Sequence, residues 1–139
     1  MDIKTEGLSV FKILEVIKEL PDKLYSGAIV NYPDNVFKSS SAKMKSIIAS
    51  IRQVHKSLGV RKDFHKKDEE LLSYDVAHHA GLSLDDEYRL LEFTDELHRQ
   101  EFLKRHLARV IPMMQEMNQL KKKIKLNGHF QSHEGFNLS

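Results

Sequence analysis

The hydrophobic period of this chain changes once, near residue 39, and that change limits the fold more than anything else in the sequence. Before it, apolar side chains come in short runs separated by turn residues: Asp2 to Glu6, Leu8 to Leu20, and Ala28-Ile29-Val30 between Tyr25 and Tyr32. After it, Met44, Ile47, Ile48, Ile51, Val54 and Leu58 return every three or four residues, the spacing of one helix face. Strands first and helices afterwards make an α+β chain, mainly α, with the two kinds of element segregated.

The early runs differ in how firmly they can be read. Asp2 to Glu6 alternates polar and apolar residues as a strand does, and Gly7 interrupts it. In "LSVFKILEVIKEL" the pattern supports two readings. Val10, Ile13, Leu14, Ile17 and Leu20 would line a helix. Phe11, Ile13 and Ile17 would line one face of a strand, with Val10, Leu14 and Val16 on the other. Pro21-Asp22 marks a turn, and "KLYSGAIVNYP" reads as a strand stopped at Pro33, where the ladder donor is lost. About three strands are therefore expected.

The helical part is punctuated by caps. Ser39, Ser40 and Ser41 offer N-cap oxygens to the first helix, and Gly59 sits where a left-handed C-terminal residue belongs. "RKDFHKKDEE" has no apolar face and reads as a solvated linker. Leu71, Leu72, Val76, Ala77 and Ala80 predict a short helix closed at Gly81, and Ser83 with Asp86 is a capping-box pattern ahead of Leu84, Tyr88, Leu90 and Leu91. Thr94 is the expected cap of the last and longest helix. Its stripe runs through Phe102, Leu103, Leu107, Val110, Met114, Met117, Leu120 and Ile124, with a kink expected at Pro112. The organisation expected is strands over 1–35, a four-helix region over 36–127 and a flexible tail over 128–139.

Composition excludes several classes. The chain has 139 residues, the length of one domain, and 40% are apolar. With no cysteine, disulfides and thiolate chemistry are excluded, which suits a reducing cytoplasm. No apolar stretch approaches the ~20 residues of a bilayer span, so no membrane partner is expected. A formal net charge of +2 is too weak a field to announce nucleic acid. "LKKKIKL" at 120–126 reads first as lysines complementing a helix C-terminus, and second as a nucleic-acid or anionic-lipid patch.

Chemistry-bearing constellations are scarce. No glycine precedes Lys-Ser or Lys-Thr as in a phosphate loop, and no glycine-flanked serine forms a nucleophile elbow. Asp75 with His78, and Asp95 with His98, have the i, i+3 spacing of di-metal bundle ligands, but the two further inward carboxylates such a site needs are missing. His129 and His133 belong to the expected tail. Met113, Met114 and Met117 read as core before they read as an adaptable binding surface. No catalytic residue, metal ligand or cofactor site is assigned, and the chain is expected not to be an enzyme.

"DIKTEGLSVFKILEV" resembles the last strands of the N-terminal substrate-binding domain of Lon-type ATP-dependent proteases, with Glu6, Gly7, Leu8, Phe11, Lys12 and Ile13 carrying the pattern. Val10 departs from it, standing where the family often has arginine. "SYDVAHHAGLSLDDEYRLLEFTDELHRQEFLKRHL" is similar to the family's helical half through Leu82-Ser83-Leu84, Leu90-Leu91 and Thr94-Asp95-Glu96. The likeness extends over roughly residues 1–126.

The resemblance implies that Val10 to Ile17 is strand and that the strands are the remnant of a PUA-like β-domain whose first part is missing, Met1 being an internal start. It implies a non-catalytic polypeptide-binding or adaptor module, the ATPase and peptidase belonging to other domains of such proteases. Unfolded or tagged polypeptides are the implied partners, and strands left without their barrel would be shielded by self-association, by the helices or by the missing segment. Two alternatives stand beside it: an RNA-binding PUA-like module, and a purely structural or oligomerising one.

Overall fold

The computed structural model describes the backbone over residues 1–137 and the side chains over 1–128. The tail expected at 128–139, with His129 and His133, lies outside that range save for Gly128 and backbone atoms. Two strands, β1 (Lys12–Ile17) and β2 (Gly27–Asn31), precede four α-helices: α1 (Ser41–Ser57), α2 (Ser73–Val76), α3 (Leu84–Glu92) and α4 (Glu96–Asn137). The chain is thus α+β and mainly helical.

β1 and β2 pair antiparallel, Lys12 opposite Asn31 and Ile17 opposite Gly27, with an irregularity between Ile13 and Glu15 that leaves Leu14 unpaired. The stretch read two ways is strand from Lys12 onwards. The connection holds a β-turn at Leu20-Pro21-Asp22-Lys23, closed by Lys23 N–H donating to the Leu20 carbonyl at 3.2 Å. Asp22 takes φ +59°, the left-handed conformation that the third position of a type II turn demands. The third strand expected at Asp2 to Glu6 is not formed. Alternation supplies side-chain chemistry but no ladder partner, and no neighbouring strand accepts this segment.

α1 begins as its serines predict. Ser40 Oγ accepts from Lys43 N–H at 3.3 Å, while Ser40's own N–H donates to Gln100 Oε1 at 3.0 Å. Gly59 and Gly81 end their segments at φ +67° and +69°. A Cβ at either would meet nothing within 4 Å, so backbone conformation and not crowding demands glycine there. Ser83 Oγ accepts from Asp86 N–H at 3.2 Å and opens α3. Ser40→Ala and Ser83→Ala should each cost about 1 kcal/mol, read as a lowered urea midpoint at unchanged slope.

Two expectations need correction. The cap of α4 is Asp95, whose Oδ1 accepts from Leu97 N–H at 2.8 Å. Thr94 instead gives its carbonyl to Val36 N–H at 2.8 Å, and Glu96 N–H reaches the Val36 carbonyl at 2.9 Å, so the segment after β2 bridges to the entry of α4. Nor is "RKDFHKKDEE" merely a solvated linker. Phe64 packs against the core, and Asp68, in a 3-10 turn over Asp68–Glu70, takes both Arg52 guanidinium nitrogens at 2.9 Å.

The core lies among the helices. Met44, Ile47, Ile48, Ile51 and Val54 of α1 face Leu103 and Leu107 of α4, with Leu71, Val76, Ala77, Ala80 and Leu90 completing the cluster. His106 on α4 donates to the Ala80 carbonyl at 2.9 Å and ties down the turn after α2. Pro112 stands inside α4, where its nitrogen has no hydrogen to give the preceding turn. Beyond it the apolar stripe leaves the core: Met113, Met117, Leu120 and Ile124 are all exposed.

Candidate functional site

The surface best suited to a polypeptide is the β1–β2 hairpin. Neither strand contributes a buried residue. Phe11, Ile13, Leu14, Val16, Tyr25, Ile29 and Tyr32 are exposed, apolar or aromatic, and gathered on one small element. Phe11 and Tyr32 meet edge to face with ring centroids 6.1 Å apart, fixing an aromatic pair at one end. Because the sheet has only two strands, both outer edges carry unpaired N–H and C=O groups. An extended chain could add to either edge while its side chains rest on apolar faces.

The residues on which the expected resemblance rests fall in two regions. Glu6 and Gly7 lie in the extended, exposed lead-in to the hairpin, and Phe11 immediately precedes β1. Leu82 packs partly against the helical core, Ser83 caps α3, and Leu84 is 81% exposed. The first set borders the candidate surface, while Leu82 and Ser83 serve the helices.

A buried polar clamp, absent from the sequence reading, fixes where the hairpin's exit strap meets the helices. Arg99 and Glu96 are both 0% exposed and pair through Nε and Oε2 at 3.1 Å. Glu96 also accepts from Ser73 N–H at 2.7 Å and Ser73 Oγ–H at 2.6 Å. Arg99 Nη1 donates to Asn35 Oδ1 at 2.8 Å and to the Phe93 carbonyl at 2.6 Å. The guanidinium lies 4.3 Å from the Tyr74 ring centroid and 5.6 Å from that of Phe37. Three segments thereby converge: the strap after β2, the start of α2 and the first turn of α4. The i, i+3 pair expected here, Asp95 with His98, lies one residue out of register with the Glu96–Arg99 pair. Both of the acids with that spacing to a histidine are caps: Asp95 serves Leu97, and Asp75 Oδ2 accepts from Leu72 N–H at 2.9 Å.

Three histidines gather beside α1. The His79 ring lies 3.9 Å from His78, 5.6 Å from His55 and 5.1 Å from Phe64, centroid to centroid. Burial, followed by the like charges that His78, His55, Lys62 and His65 would carry, holds the His79 pKa below its ordinary 6.5. Protonation is then harder in the folded than in the unfolded chain. The stability tied to neutral His79 is complete above pH 6.5 and is lost as pH falls below it. Thermal scans between pH 7.5 and 5 should show a falling midpoint, with a shallower fall in His79→Phe.

Next to this cluster an open cleft of about 410 Å³ is lined by Arg52, His55, Lys56, Arg61, Lys62 and Asp63, among others. It is basic, but Arg52 is already engaged by Asp68. Among the described residues, no group of three or more His, Asp and Glu could hold a metal ion, and no helix is long and apolar enough to cross a membrane. Comparison of the chain with protein-family models, curated proteins and solved structures found no match.

Proposed function

We propose that the chain is a non-catalytic polypeptide-binding or adaptor module of the kind its resemblance to the Lon substrate-binding domain implies, working in the reducing cytoplasm. On this reading the hairpin belongs to a PUA-like β-domain. The observation that supports it is the exposed, doubly edged hairpin with Phe11, Ile13, Val16, Ile29 and Tyr32. Main-chain pairing along an edge is indifferent to sequence, and apolar faces select unfolded over folded clients. The same edges are open to a second copy of the chain.

The test is fluorescence anisotropy with a labelled, permanently unfolded polypeptide, beside a labelled single-stranded RNA, at low and moderate salt. Saturable polypeptide binding that survives salt is expected. Val16→Asp with Ile29→Asp should weaken it at least tenfold, while Leu84→Ala, at an exposed position on α3, should leave it unchanged. Binding of RNA alone, lost steeply with salt, would instead favour the nucleic-acid reading carried by Lys121, Lys122, Lys123 and Lys125.

A further inference from the structure

Past Pro112, α4 presents an apolar surface that no other element covers among the described residues. Met113, Met117, Leu120 and Ile124 are 62%, 57%, 57% and 61% exposed. Their spacings of four, three and four residues are those of alternating d and a positions of a heptad, starting with d at Met113. They form one narrow seam. Val110, the preceding a position, and Met114 turn towards α1 and pack partly against the core. A helical stretch of this length has little stability of its own in water, and an apolar seam along it calls for a second helix.

The flanks say which helix. Glu116 and Lys123 lie on one flank of the seam at g positions, and Lys121 lies on the other at an e position. Glu116 is the sole acidic residue between Phe102 and Gly128, whereas Lys121, Lys122, Lys123 and Lys125 are crowded within five positions. Packing two copies in parallel would stack these lysines side by side, together with two helix C-terminal ends. An antiparallel arrangement centred between Asn118 and Gln119 removes that conflict. It sets Met113 against the partner's Ile124 and Met117 against the partner's Leu120, so that four layers form from two by symmetry. It also brings Glu116 opposite the partner's Lys123 twice, and moves each lysine cluster beside the other copy's uncharged 112–115 stretch. The surface is therefore complementary to itself in one orientation.

We infer that residues 113–124 of α4 form an antiparallel two-helix coiled coil with a second copy of this chain, independently of the hairpin. The seam extends over about 17 Å of helix at 1.5 Å per residue, well short of a standard protein interface. The dimer is accordingly concentration-dependent, with dissociation expected in the micromolar range.

Sedimentation equilibrium from about 1 to 300 µM tests the association, and the expected result is a monomer–dimer equilibrium. Met117→Glu with Leu120→Glu should raise the dissociation constant more than tenfold while leaving the urea midpoint of the dilute protein unchanged. Lys123→Glu should weaken the dimer several-fold, and adding Glu116→Lys should restore it. Orientation is read by cross-linking, because the chain has no cysteine of its own. Met113→Cys mixed with Ile124→Cys should give the mixed disulfide, and neither variant alone should cross-link. A chain monomeric throughout overturns the inference. So do 113-to-113 cross-links, or a dimer that survives the seam variant and is lost with Val16→Asp in the hairpin.

Discussion

Glu96→Ala should cost about 3–5 kcal/mol, the upper range for breaking a buried ion pair. It strips the fully buried Arg99 guanidinium of its carboxylate partner and leaves Ser73 N–H without its acceptor. Arg99→Met should cost less, because the Glu96 carboxylate keeps two donors from Ser73 and the new side chain still fills space beside Tyr74. Single domains hold about 5–15 kcal/mol in all, so Glu96→Ala should remove a large share of it. Urea titration followed by helix content measures both. Equal midpoints for wild type and Glu96→Ala would show that the clamp contributes geometry and no net stability. Arg99→Lys should not rescue the site, since one ammonium cannot reach Ser73, Asn35 and the Phe93 carbonyl together while stacking on an aromatic face.

The second large effect is expected where α1 meets α4. Ile51 and Leu103 are both 0% exposed, and truncating either to alanine removes buried methyl groups and leaves a cavity. Each change should cost about 2–5 kcal/mol. Ile124→Ala, farther along α4 at 61% exposure, should change the dilute monomer by less than about 0.5 kcal/mol. The contrast divides α4 into a half that stabilises the fold and a half that does not. Equal losses at Leu103 and Ile124 would mean that the seam beyond Pro112 is covered within the monomer.

What could be read from the residues was what local physics decides. α1 followed from its stripe, its Ser40 cap and Gly59, all set within a few positions of one another. The Ser83 cap of α3 followed for the same reason. Asp2 to Glu6 misled because a strand is defined by a neighbour as much as by alternation. The stripe from Val110 to Ile124 had core spacing throughout, yet periodicity cannot say where the packing partner ends, and α1 stops at Ser57. Phe64 was hidden among charges, its burial depending on α1 and His79 and not on its own sequence neighbours. The Glu96–Arg99 clamp was missed for a related reason. "TDELHRQ" reads as a polar helix start, and only Asn35, Phe37, Ser73 and Tyr74, brought from distant segments, make its interior polar. The hairpin's composition was visible early; its lack of burial was not.

The reach of that clamp bears on how the chain is made. Arg99 holds Asn35 from 64 residues away, and α1 finds its apolar partner only when Leu103 and Leu107 have been synthesised. At translation rates of about 5–20 residues per second, roughly 2–9 s separate completion of α1 from arrival of Leu103. During that interval Met44, Ile47, Ile48 and Ile51 lack the cover that α4 gives them, and closing so long a loop must precede the contacts that reward it. On the ribosome, α1 is the segment that a chaperone would find exposed.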